Sequence, residues 1–438
     1  MIASRPENAL LRALLREAKW SGDGLASAVN ALGAESGLGL RYRRPSVAQW
    51  LDGSMPRAEV RVLLAEAFSR RLGREVTPSD LGMATAGEPG TPGGDLEGML
   101  PVPRTAVYRL AGLGDVPTST EGRTRGLAPG PAVPPQLGRH HVKAVHDMAV
   151  LLSRTDQTLG AGAVRQAFTS YLDSTVVPWL RLSGRPAIRN ELLVEAARLT
   201  YLGGFLHFDD DLQGPAQRYY QISASLADEA GDTYGLALAL RALSVQAWTL
   251  GHYRQAYRLA EAGATAGCRV GPGTLAFLNG QLALCTAAMG ERKVALERLA
   301  LAELSLSRAD IAATPLVGAY NLASLAHHRA ALSRHLGDSA GALAALKEAS
   351  RLRPAHEIRS RALVLARQAE LELERGYLEA ACARWQDFLT AGRGIRSRRL
   401  NRAAATMRAC LAPYRHNSGA RAVLAMCREV FPVMPERS

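Results

Sequence analysis

Aromatic side chains make up only 5 % of this 438-residue chain. That scarcity, beside abundant alanine and leucine, argues against a β-sandwich or barrel and for helices. Cysteine is also sparse. Cys268, Cys285, Cys382, Cys410 and Cys427 form no CxxC or CxxxH pair, and their number is odd. Zinc and a disulfide framework are therefore not expected; reduced, mostly buried thiols in a cytoplasmic protein are. No run of about 18 apolar residues appears, so no membrane span is expected. The stretch Met1–Glu7 lacks the apolar core of a signal peptide. There is no Gly-rich phosphate loop, nucleophile elbow or HExxH motif. An enzyme is not expected, nor is a cofactor.

What is present in excess is positive charge: 53 Lys and Arg against 40 Asp and Glu, a net +13. Such a balance suits an anionic partner, nucleic acid first. Its distribution is uneven. Residues 1–83 carry a net +3 and residues 391–438 a net +8, so the charge is concentrated at the C-terminus.

The segment Pro45–Gly53 anchors the N-terminal reading. It reads as one short helix. Ser46 and Gln49 have the spacing of a capping box, and Gly53 can take positive φ past the last turn. Val47 and Trp50 share a buried face, which leaves Ala48 and Gln49 outside. Such a helix fits a DNA major groove, with Ser46, Ala48 and Gln49 at the bases. Arg41, Arg43, Arg44 and Arg57 then stand where phosphates lie. Helices are expected over 7–20 and 21–33, and again from Pro56 to Gly73. The pattern Val47-x-x-Trp50-x-x-Gly53-x-x-Pro56, followed by an amphipathic helix, resembles helix-turn-helix repressors of the Xre/λ-repressor type. Two features depart from that pattern. About ten residues precede the recognition helix instead of three or four, and Pro56 stands one residue closer to Gly53 than usual. The longer stretch Arg44–Pro78 is similar to a divergent actinobacterial version in which the long connection is ordinary.

Residues 84–140 hold 11 Gly and 9 Pro among 57 positions, a composition of linkers. A flexible tether is expected there, with a helical turn only within Arg104–Leu113. Beyond it a repeat emerges. Asp211, Gly251, Gly290, Gly337 and Gly376 are each followed five residues later by Ala: Ala216, Ala256, Ala295, Ala342 and Ala381. The turn residue reverses the chain and the small Ala lets two helices approach, as in stacked helical hairpins. The spacing resembles tetratricopeptide repeats with lengthened loops. The stretches Tyr201–Tyr220 and Leu226–Asp232 strengthen a wider resemblance, to large actinobacterial helix-turn-helix/tetratricopeptide regulators of sporulation and secondary metabolism. The fold expected is all-α: a helix-turn-helix domain over 1–83, a flexible Gly/Pro-rich linker over 84–140, and a TPR-like α-solenoid of about five helical hairpins over 141–438, ending in capping helices.

The remaining polar clusters read as structural. His140, His141, His146 and Asp147 suit a solvated helix start better than a metal site. Asp209–Asp211 suits a solvated acidic turn. The C-terminal run Arg393, Arg396, Arg398, Arg399, Arg402 and Arg408 suits the outer face of a capping helix, with a second phosphate-binding face or pairing to a neighbouring subunit left open. In the hairpin frame, a ligand groove along the first helices selects Tyr201, Phe205, Phe208, Arg241, Trp248, His327, Arg334 and Glu370. The expected function is a sequence-specific transcriptional regulator bound to double-stranded DNA as a homodimer. Its array would dimerise or sense a peptide, small molecule or protein. The alternative is an interaction scaffold whose helix-turn-helix domain no longer binds DNA.

Overall fold

The computed structural model describes residues 7–84, 102–103, 106–114, 116–118, 136–309 and 320–432. Among these, every regular element is a helix.

The N-terminal domain has four helices: α1 (Ala9–Glu17), α2 (Gly22–Glu35), α3 (Arg44–Leu51) and α4 (Ala58–Leu72). Asn8 caps α1 by accepting from the Leu11 N–H, and its amide donates to the Leu81 carbonyl. That second bond ties the first helix to the final turn. The first helix is shorter than expected, because Lys19 takes φ +52° and breaks it. The second runs past Gly33, which packs flat against Leu40. Leu11, Leu25, Val29, Val47, Trp50, Leu64 and Phe68 form one core, each at most 4 % exposed.

One expected detail is corrected. Ser46 and Gln49 make no capping box; Arg43 is the N-cap residue of α3, without a side-chain bond. Pro45 explains this. Its fixed φ and missing N–H suit the first turn, so the helix begins before Ser46 and carries it inside. Gly53 does take positive φ, +87°. The helix from Pro56, by contrast, starts later, at Ala58, and ends on left-handed Gly73.

The array opens with α5 (Arg139–Leu159) and α6 (Ala161–Tyr171), the latter running through a π-helical turn, Leu172–Val176, into Val177–Leu180. Five hairpins follow: α7 (Pro186–Asp209) with α8 (Gln213–Glu229), α9 (Thr233–Thr249) with α10 (Tyr253–Ala266), α11 (Pro272–Ala288) with α12 (Arg292–Ser307), α13 (Leu322–His335) with α14 (Ser339–Leu352), and α15 (Ile358–Glu374) with α16 (Leu378–Gly392). The five expected turn residues all take positive φ, between +61° at Asp211 and +87° at Gly290. The five paired alanines are at most 1 % exposed, where a larger side chain would push the helices apart. Helices α17 (Arg398–Leu411) and α18 (Ser418–Val430) cap the end.

The end returns to the start. Arg396 N–H donates to the Leu159 carbonyl at 2.8 Å, and Gly162 N–H to the Arg396 carbonyl at 3.0 Å. Between them Arg359 of α15 forms a bidentate pair with Asp156 of α5, both bonds 2.8 Å, and reaches Asp209 of α7 at 3.3 Å. Two readings change here. Asp209 and Asp210 are buried, not solvated. Each of the three aspartates meets an arginine: Asp209 faces Arg359 and Arg399, Asp210 pairs with Arg165, and Asp211 with Arg402. Arg399 therefore faces inward across the closure instead of lying on a cap's outer face, while Arg402 stays exposed and reaches Asp211. Pairing across the closure was invisible in sequence because the partners lie about 190 residues apart.

The described part of the Gly/Pro-rich stretch is also docked, which departs from a tether free along its length. Residues 106–114 form a strap between the N-terminal domain and the array. Gln217 of α8 accepts from the Arg109 N–H at 2.8 Å and donates to its carbonyl at 2.7 Å. Gln221 donates to the Gly112 carbonyl at 2.6 Å. On the other side, Glu66 of α4 accepts from the Leu110 N–H, and Arg70 lies over the Tyr108 ring. Tyr108 stacks on His252, which burial and the nearby Arg70 charge hold down to about 4. Val107 packs with the N-terminal core, Tyr108 and Leu113 with the array core.

Gly214 makes this crossing possible: a Cβ there would stand 1.7 Å from the Ala106 carbonyl oxygen. Gly214→Val should therefore displace the strap while the hairpins stay folded. Limited trypsinolysis read by mass spectrometry should show cutting after Arg109 at least about tenfold faster than in the wild type. An unchanged rate at that bond would mean that the strap tolerates the side chain.

Candidate functional site

The N-terminal domain presents α3 on its surface. Val47 and Trp50 are buried at 1 % and 4 % exposure, and Tyr42 sets its ring edge against Trp50 at 5.0 Å. These contacts fix the helix roll, so Ala48 and Gln49 face solvent, and Ser46 is half-buried. The long connection before α3 is held by Asn30, whose amide donates to the Tyr42 carbonyl and accepts from its N–H, both at 2.8 Å. That reciprocal pair gives the ten-residue excursion a defined path into α3. An Asn twelve residues before its partner carries no local sequence signal, so it escaped the reading of the chain.

Arg41, Arg43, Arg44 and Arg57 are all exposed around this helix. Among the described residues no ion pair engages Arg43, Arg44 or Arg57. Other arginines of the domain are committed. Arg70 bonds Glu35 bidentately and Glu66 besides, and Arg74 bonds Glu17. Burial pushes Glu66 above the usual carboxylate range, with Arg70 opposing. The docked strap and array leave the α3 face accessible.

The eight groove residues divide into three groups. Tyr201, Phe205, Phe208, Arg241 and His327 belong to one inner surface. Tyr201 lies against Tyr220, with ring centroids 5.8 Å apart. Phe205 lies beneath the Arg359 guanidinium at 4.8 Å and Phe208 beneath Arg399 at 5.1 Å. Arg241 covers the Phe277 ring. His327 is held down to about 4 by burial and then by Arg353, Arg367 and Arg399, so it is a neutral ring. Trp248 and Arg334 stand at the hairpin-turn ends instead. Trp248 meets His335 at 5.4 Å, and Arg334 pairs with Glu374 at 2.7 Å. Glu370 is buried and already paired with Arg367 at 2.8 Å. Tyr220, Tyr320 and His328 adjoin this surface, Tyr220 and His328 buried behind it, and fell outside the hairpin offsets.

Among the described residues no group of His, Cys, Asp and Glu is placed to hold a metal. His141 is buried against Trp179, and His146 contacts Glu195 at 3.1 Å. A surface cleft of about 460 Å³ beside them is lined by Arg139, Lys143, His146, Glu191 and Glu195. Each of those charges has a partner there. No described helix is long and apolar enough to cross a membrane.

A family model described as the SP15 N-terminal domain matches residues 11–84. The match runs from the first turn of α1 to the end of the four-helix domain and includes none of the array. No characterised protein matches the chain.

Proposed function

We propose that this protein is a sequence-specific DNA-binding transcriptional regulator, with α3 in the major groove and the array as its dimerisation or sensing part. One observation carries the reading: α3 is rolled by Val47 and Trp50 so that Ala48 and Gln49 are exposed, with Arg43, Arg44 and Arg57 around them in no ion pair among the described residues. A side-chain amide at that place can form the paired hydrogen bonds that read adenine. The arginines would sit on phosphates, which position the domain without specifying sequence. One four-helix domain gives limited specificity, so a homodimer on two half-sites is expected.

Gel shifts of the full chain over a salt series test this. Gln49→Ala should lose about 1–3 kcal/mol of preference for the cognate base. Arg44→Ala should weaken all duplexes alike and reduce the salt slope by about one. If Gln49→Ala binds its site unchanged, α3 is the wrong helix. If the wild-type chain prefers no duplex over random sequence, the scaffold reading stands instead. The docked strap favours that second reading to one extent: it fixes the domain against the array, as an interaction module needs no freedom to search DNA.

A further inference from the structure

The inner surface of the array gathers cations that the chain neutralises only in part. Arg241 sits with its guanidinium 3.2 Å from the Phe277 centroid, and its Nε donates to the Phe277 carbonyl at 3.3 Å. Tyr201, Tyr220, Tyr320, Cys285 and His328 lie in its field, and among the described residues no carboxylate forms an ion pair with it. Arg399 has one carboxylate, Asp209 at 3.7 Å, which Arg359 already uses. Its side chain remains 33 % open to water although it is surrounded. The Tyr220 hydroxyl lies in the field of both arginines. Nearby, the buried Nδ1 of His327 has no hydrogen-bond partner. A recessed charge without a counter-ion costs free energy that a ligand can recover.

The walls are aromatic. Tyr201 and Phe277 adjoin Arg241, Phe208 underlies Arg399, Tyr220 packs behind Tyr201, and Tyr320 lies 5.3 Å from Phe277. The packing is specific: a Cβ on Gly280 would strike the Tyr320 hydroxyl at 2.3 Å and His328 Nδ1 at 2.4 Å. The array's ends meet at Arg396, Leu159 and Gly162. That closure suits a compact occupant over an extended peptide.

We propose that the inner surface binds a small molecule carrying a carboxylate or phosphate on an aromatic or apolar body, its anion at Arg241 and Arg399 and its body against Tyr201 and Phe277. This names the ligand class for the sensing part of the proposed regulator and rests on that part, not on DNA binding. Arginine donors suit either anion, since both accept charge-assisted, bidentate hydrogen bonds.

The test is calorimetric titration and thermal melting of the full chain with four probes: 2-naphthoate, 2-naphthyl phosphate, the neutral 2-naphthamide and inorganic phosphate. At least one naphthyl anion should bind and raise the melting temperature. The amide and inorganic phosphate should each bind at least about tenfold more weakly than it. The tighter of the two anions identifies the source as carboxylate or phosphate. Arg241→Gln should weaken the anion at least about tenfold, and Arg254→Gln, on the exposed face of α10, should not. Arg399→Gln supplies the same comparison if Arg241→Gln does not fold. The proposal is overturned if neither naphthyl anion binds, if the amide or inorganic phosphate binds as tightly, or if the folded arginine variants bind as the wild type does. Gel shifts on the same samples separate the two failures. DNA binding without anion binding removes the ligand site and leaves the regulator; anion binding without DNA binding does the reverse.

Discussion

Arg359→Ala is expected to destabilise the array by about 3–5 kcal/mol, the usual cost of removing one partner from a buried ion pair. The environment explains the size. The side chains of Asp156 and Asp209 are 3 % and 0 % exposed, and that of Arg359 is 10 %. The two carboxylates hold the Arg359 guanidinium charged, while burial pushes Asp156 above the usual carboxylate range. Without Arg359 both carboxylates lose their main counter-charge, and the folded-state pKa of Asp156 should rise further. A carboxyl raised on folding brings no penalty when protonated in both states. The penalty grows as pH climbs from the unfolded value, about 4, through the folded one. The deficit of Arg359→Ala should therefore be largest near neutral pH and shrink towards pH 4. Urea unfolding of wild type and variant at several pH values checks both points. A deficit under about 1 kcal/mol at neutral pH would mean that the closure contributes little.

Trp50→Ala is the second large effect, about 3–5 kcal/mol. Trp50 is 4 % exposed and packs with Tyr42 inside the N-terminal core. That loss is a large share of what a domain of this size can hold, so residues 7–84 should exchange their amide hydrogens rapidly while the hairpins stay protected. The contrast with Gln49→Ala is the informative part. Gln49 is exposed, so its loss should leave stability within about 0.5 kcal/mol and change only recognition. Hydrogen exchange by mass spectrometry reads both variants. Protection of 7–84 in Trp50→Ala equal to wild type would contradict the role of Trp50 in fixing α3.

Much of this architecture was legible because it depends on local rules. A positive-φ turn residue followed five later by alanine recurs with the hairpin period, and each such pair does one physical job. Asp211 is the telling member: an Asp takes the left-handed turn otherwise filled by glycine, φ +61°, so the frame held without the residue. The roll of α3 was legible for the same reason, since Val47 and Trp50 lie one turn apart. What could not be read is what joins distant segments. Asp156 and Arg359 lie about 200 residues apart, and neither has a signature. The aspartate run looked like a solvated turn because its arginines are on another helix. The strap was hidden by composition: glycine and proline suggest a tether, yet Gly214 on α8 and the amides of Gln217 and Gln221 receive residues 106–112. The groove offsets found the inner helices but not every inward residue. They selected Arg334 and Trp248 at the turn ends and passed over Tyr220 and Tyr320.

The C-terminal charge also changes meaning. Arg402 pairs with Asp211 within the chain, and Arg408 donates to Cys427 Sγ and the Phe431 carbonyl. Fewer of these arginines are free for phosphates than the net +8 suggested, which favours the face of α3 in the DNA-binding proposal.

Genome-wide mapping of the protein on DNA in its native cell, in parallel with Gln49→Ala, tests the regulator reading most directly. It predicts discrete sites that share a paired half-site motif, with Gln49→Ala losing or redistributing them while the protein remains folded. Occupancy that is absent, or that is uniform along the chromosome and unaffected by Gln49→Ala, would contradict it.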